Sequence, residues 1–158
     1  MPYYIPYKKK KKKDEDLPLF KAAGVKVKKQ PDLTKKLDKV FSEYIRLRDS
    51  KPFGFRMFKC ISCGRILPYE QADCGHYFSR THMATRFDEQ NCHAECRHCN
   101  RFLADHLHGY ERNLRAMLGD KKFALLEVRA HGVKKWSNFE LEEMIKYFKA
   151  KIKELKGG

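Results

Sequence analysis

The sequence predicts an α+β fold, with a small cysteine-stapled core of short strands entered by one amphipathic helix and followed by further helices. Three observations carry this. Two Cys-x-x-Cys pairs, Cys60/Cys63 and Cys96/Cys99, bracket a stretch in which Gly and Pro break short apolar runs. One-sided apolar repeats at three- and four-residue steps stand on both sides of that stretch. The 158 residues suffice for one hydrophobic core and a tail, and not for two independent cores.

Residues 1–30 hold ten lysines against three acidic residues, with Lys8 to Lys13 followed at once by Asp14, Glu15 and Asp16. Nothing there repeats at helical spacing until well past Pro18, so a basic, disordered tail is expected. After Pro31, apolar residues fall at Leu33, Leu37, Val40, Phe41, Tyr44 and Ile45, which assigns residues 31–52 to an N-terminal helix closing near Pro52. Residues 53–118 are assigned to the cysteine-bearing core. Its runs "RMFKC" and "GHYF" read as hairpin strands. Beyond Asn100, the spacing of Leu103, Leu107, Tyr110, Leu114 and Met117 predicts one helix leading out of the second cysteine pair and stopping near Gly119. Residues 119–158 are assigned to C-terminal helices of the same domain. The first covers about residues 121–131 and is closed by Gly132; the second opens on the capping box Ser137-Asn-Phe-Glu140 and buries Leu141, Met144, Ile145, Phe148, Ile152 and Leu155.

The formal charge of +15 favours a polyanionic partner, because each neutralised phosphate releases condensed counterions. Nucleic acid is the commonest polyanion, and a merely solvated basic tail is the plainer explanation. No stretch resembles a secretory signal or is apolar enough to cross a bilayer, so a cytoplasmic protein with no membrane partner is expected. In that compartment six cysteines point to metal rather than disulfides.

Each Cys-x-x-Cys turn can aim two sulfurs at one ion, and four thiolates complete a tetrahedral zinc with no open position. Cys60, Cys63, Cys96 and Cys99 are therefore expected to hold a structural zinc. Cys74 and Cys92 then read as small buried hydrophobes. The run His93-Ala-Glu95-Cys96 superficially matches a zinc deaminase signature. That chemistry needs its histidine and its cysteine pair on separate elements, and here they abut, so the deaminase is rejected.

Asn100 follows the second cysteine pair directly, in the first turn of a zinc-held helix. Its amide oxygen is a neutral hard ligand suited to Mg²⁺, although an asparagine there also makes a good helix cap. Histidine has the unperturbed pKa closest to neutral pH, and His76 in "DCGHYFSR" lies in a segment that reads as strand. Strand with histidine, return strand, then helix with a metal-binding asparagine is the order of parts in a ββα-metal nuclease site.

Asn91, ahead of Asn100 with the cysteine pair between them, resembles the HNH pattern, in which the middle asparagine braces the loop behind a histidine base. The arrangement of an asparagine after the second cysteine pair is similar to that of phage endonuclease VII. More closely, "LDKVFSEYIRLRD", "CGHYFSR", "TRFDEQNCHAECRHCN", "GYERNL" and the final helix resemble the NinG (Rap) family of phage recombination proteins over roughly residues 33–155. Many HNH relatives carry a second metal ligand just before the base, where this chain has Gly75. "Asp-Cys-Gly-His" is instead similar to the Asp-x-Gly-His motif of sugar-nonspecific ββα-metal nucleases, in which one helix asparagine and waters hold the ion.

The resemblance implies a zinc-stapled HNH-like core and a Mg²⁺- or Mn²⁺-dependent endonuclease for branched DNA, such as D-loops and Holliday junctions, acting in a bacterial host cell as a phage or prophage product. It implies His76 as base, Asn91 as loop brace and Asn100 as ion ligand. Asp73, His106 and His108 are candidate extra ligands, and Arg80 and Arg86 candidate phosphate contacts. A homodimer would suit paired cuts. The competing expectations are a non-catalytic zinc-ribbon DNA-binding protein and, on composition alone, an RNA-binding zinc protein.

Overall fold

The computed structural model describes residues 32–157. The expected basic tail lies outside the described residues. Helix α1 (Leu33–Ser50) starts where the Asp32 side chain accepts a hydrogen bond from the Lys35 amide, 3.2 Å away. It buries Leu37, Phe41, Tyr44 and Ile45 on the face their spacing predicts, with Leu47 buried as well. A 3-10 turn at Lys51–Phe53 then leads into the strands.

The core contains two antiparallel ribbons: β1 (Met57–Lys59) pairs with β2 (Ile66–Pro68), and β3 (Ala72–His76) pairs with β4 (Cys92–Cys96). The register of the second ribbon sets Asp73 opposite Glu95, Gly75 opposite His93 and His76 opposite Cys92. Side chains alternate along a strand, so Asp73 and Glu95 share one face while Cys74, His76 and Cys92 share the other.

The helix expected as one piece after Cys99 is two: α2 (Arg97–Phe102) and α3 (His106–Leu118). Leu103 takes an extended conformation between them (φ −96°, ψ 111°). The break re-aims α3 across the ribbon, where Tyr110 is fully buried and its hydroxyl donates to the Gly75 carbonyl at 3.0 Å. Gly109 makes this approach possible, since a Cβ there would stand 2.2 Å from the Ser62 carbonyl oxygen. Helical spacing survives such a break, which is why periodicity alone missed it.

Helices α4 (Asp120–Ala130) and α5 (Asn138–Leu155) complete the chain, and the Ser137–Glu140 capping box is formed in both directions. α5 packs along α1, with Phe41 and Phe148 ring centroids 4.9 Å apart. The main cluster joins α1 and α5 to Cys74, Phe87 and Cys92 beneath the ribbon. A second cluster surrounds the cysteine staple, and a third gathers Ile61, Tyr110, Leu114, Phe123 and Leu126 under α3 and α4. No helix among the described residues is long and apolar enough to cross a membrane.

Candidate functional site

Cys60 directly follows β1 and Cys63 sits in a tight turn in which the Gly64 amide donates to the Cys60 carbonyl at 2.9 Å. Cys96 ends β4 and caps α2, its sulfur accepting from the Cys99 amide at 3.5 Å. The four sulfurs lie within 4.8 Å of one another, and none is in a disulfide. Burial pushes the Cys60 thiol up to about 11 and raises Cys99 as well. Burial also works against ionisation of Cys63, but hydrogen bonds from Arg65 outweigh it and bring that thiol to about 7. Four convergent sulfurs fit one zinc ion, which would staple β1 to the start of α2.

The zinc-held helix brings Asn100 beside the ribbon. Its Nδ2 donates to Asp73 Oδ2 at 3.1 Å, and Arg101 grips both oxygens of the same carboxylate at 2.6 and 2.8 Å. Burial works against the ionised Asp73, but Arg101 and Asn100 prevail and hold its pKa below the usual carboxylate value. The Asn100 amide oxygen takes no hydrogen bond among the described residues, so it is available to an ion.

On the same face Glu95 is completely buried. Its Oε1 accepts from the Ser62 hydroxyl and lies 2.6 Å from His106 Nδ1, while its Oε2 has no partner. A Cβ on Gly75 would stand 2.3 Å from that Oε2, so the glycine before His76 is what lets the Glu95 side chain lie across the ribbon. Sequence reasoning missed Glu95. The available signal was the strand register, which pairs it with Asp73, but register is not written in the local sequence.

His76 ends β3, half-buried, with Nε2 3.0 Å from the Arg86 carbonyl. Burial lowers its pKa, the Arg80 charge adds to this, and the Arg86 and Cys74 carbonyls oppose both. The ring is thereby kept neutral, and donation from Nε2 to Arg86 leaves Nδ1 as the basic nitrogen. Asn91 is fully buried and pins the loop between β3 and β4: its Oδ1 accepts from the Phe78 amide at 2.8 Å, and its Nδ2 donates to the Phe78 and Thr85 carbonyls at 2.9 and 3.0 Å.

The structure brings Asp73 to Asn100 and the four cysteines to one point, but it does not bring His76 and Asn100 to one face of the ribbon. Residues 73 and 76 are three apart on a regular strand and must point oppositely. Two further expectations change. Arg86 forms a bidentate pair with Asp38 of α1 at 3.0 and 2.6 Å, so it ties the loop to the helix and is not free for phosphate. His106 is held by Glu95, whereas His108 is exposed on α3. Arg80 is exposed, and its carbonyl accepts from Arg86.

Residues 6–157 match the family described as Bacteriophage Lambda NinG protein. The chain belongs to the NinG family. It is 32% identical to Protein ninG of Escherichia phage 933W over 125 residues, covering 77% of this chain and 57% of that protein. Protein ninG of Escherichia phage lambda is 31% identical over 125 residues, with 77% and 56% covered. The Salmonella phage P22 protein is 32% identical over 126 residues, with 77% and 57% covered. This NinG-family chain therefore spans a little over half the length of the curated relatives it matches. No solved structure matches it significantly.

Proposed function

We propose that this NinG-family chain is a metal-dependent endonuclease that hydrolyses phosphodiester bonds in branched DNA recombination intermediates, by HNH-type chemistry. One arrangement carries the reading: a neutral histidine oriented by a backbone carbonyl, a loop pinned by Asn91, and Asn100 beside Asp73 at the start of a cysteine-held helix.

His76 Nδ1 takes the proton of the attacking water, while the Arg86 carbonyl fixes the ring's tautomer and orientation. Asn91 keeps the loop after the base in place, so the imidazole enters the reaction already oriented. Asn100, with Asp73 behind it, would hold a Mg²⁺ or Mn²⁺ ion, which supplies positive charge to the developing phosphorane and the leaving oxygen. Base and amide stand on opposite faces, so the reading requires the phosphodiester to span the end of β3. Paired cuts in a four-way junction would further require two copies of the chain.

The test is a nicking assay on nicked, flapped, forked and four-way DNA, with and without Mg²⁺, for wild type and His76→Ala. Metal-dependent cutting that His76→Ala loses is expected. DNA binding without cutting in any metal supports the alternative, a non-catalytic zinc-ribbon DNA-binding protein.

A further inference from the structure

The face of the ribbon turned toward α1 carries a second group of soft ligands. Cys74 and Cys92 do not belong to the four-cysteine staple, and neither is in a disulfide. They lie on the same face as His76, which is paired directly with Cys92 in the register. One ligand atom from each of Cys74, His76 and Cys92 lies within 4.8 Å of the others. Both cysteines are at least nine-tenths buried, and the histidine is half-buried at the strand end.

Ligands on a single tetrahedral zinc stand somewhat closer together than this, roughly 3.5 Å apart from bond lengths of about 2.0–2.3 Å. A contraction of about 1.3 Å at most, from separations within 4.8 Å, therefore closes the group. Its donors are two sulfurs and an imidazole, which favour zinc over the hard ions suited to Asn100 and Asp73. The surroundings also suit a ligating histidine: the Arg86 carbonyl, 3.0 Å from Nε2, is the kind of backbone acceptor that orients a metal-bound imidazole and leaves its other nitrogen for the ion. The same carbonyl lies 3.8 Å from the Cys92 sulfur.

We propose that Cys74, His76 and Cys92 form a second zinc site, with three protein ligands and an open fourth position. Binding releases the two thiol protons to solvent and places the ion on the lone pair of His76. Zinc at this site therefore withdraws the base and switches cleavage off, while zinc in the four-cysteine staple leaves it on. This consequence rests on the reading of His76 as base; the binding itself does not.

The experiment is native mass spectrometry of the reduced full chain in excess zinc, paired with Co²⁺ substitution, for wild type, Cys74→Ala and Cys92→Ala. Wild type is expected to carry about two ions and each variant about one, and the variants' retained ion shows that the staple is intact. The second Co²⁺ equivalent in wild type should bring a new thiolate-to-metal charge-transfer band. One ion in wild type overturns the proposal, and so does a variant that keeps two. Cleavage measured in parallel separates the two readings. Two-ion binding with no cleavage under any condition removes the nuclease while leaving the site, and cleavage insensitive to the second ion removes the switch.

Discussion

The two faces of the β3–β4 ribbon differ in kind although they are built from alternate residues of the same two strands. The face toward α2 and α3 carries the carboxylates Asp73 and Glu95, tied by Asn100, Arg101, Ser62 and His106. The face toward α1 and α5 carries Cys74, His76 and Cys92 against an apolar cluster that includes Phe41 and Phe148. On the proposed readings, one face would take a hard cation and the other a soft one. The difference teaches that a single strand register partitions the chemistry, because moving either strand by one residue would turn that strand's side chains to the opposite faces and mix the two sets.

The largest effect is expected where both faces depend on the same staple. Removing zinc with a chelator, or making Cys96→Ser, should unfold the core, since structural zinc contributes on the order of 10 kcal/mol. Circular dichroism and bound-metal analysis check this, and a chelated protein with an unchanged melting temperature would break the comparison at its root.

Next comes the hard-cation face. Asn100→Ala should lower cleavage by about 100-fold or more, because metal stabilisation of the transition state is worth several kcal/mol, whereas a lost helix cap costs only about 1 kcal/mol of stability. Asn100→Asp should stay folded and shift its preference between Mg²⁺ and Mn²⁺. Rates against metal concentration, alongside melting temperatures, decide between the roles. An Asn100→Ala protein that cuts at the wild-type rate would strip this face of its chemistry.

Gly75→Ala sharpens the contrast by pressing a methyl group into Glu95, whose Oε2 stands 2.3 Å from the added carbon. Overpacking of this sort should cost about 3 kcal/mol. Adding Glu95→Gly, which also removes the Glu95 Cβ standing 2.8 Å from the added carbon, should relieve the strain, so a double-mutant cycle by urea unfolding should show strong coupling. Additive effects would mean that Glu95 does not lie over Gly75.

The smallest effect concerns the tie from α1 to the ribbon. Asp49 accepts from the Ala94 amide at 2.7 Å. Burial works to raise its pKa, but hydrogen bonds from His93 and Arg48 overcome this and bring it to about 2, below its ordinary 3.8. A depressed carboxylate adds stability that is fully present above about pH 4 and is lost as pH falls toward 2, here about 2 kcal/mol. Urea unfolding across that window should show the loss, and Asp49→Asn should flatten this part of the acid limb.

Much of this was legible in the sequence because it is local. The spacing of Leu37, Phe41, Tyr44 and Ile45 set the buried face of α1, Ser137 and Glu140 set the start of α5, and the two Cys-x-x-Cys turns set the staple. Hydrogen-bonding reach and helical period act over a few residues, so a short window contains the whole cause. The opposition of Asp73 and His76 also follows from strand alternation once β3 is known to be regular. Other features depend on partners distant along the chain. The break at Leu103, the burial of Glu95 over Gly75, the capture of Arg86 by Asp38 and the meeting of Cys74 and Cys92 with His76 were decided only when β4, α1 and α3 packed around β3. Register and helix docking are properties of the assembled core, and no local window contains them.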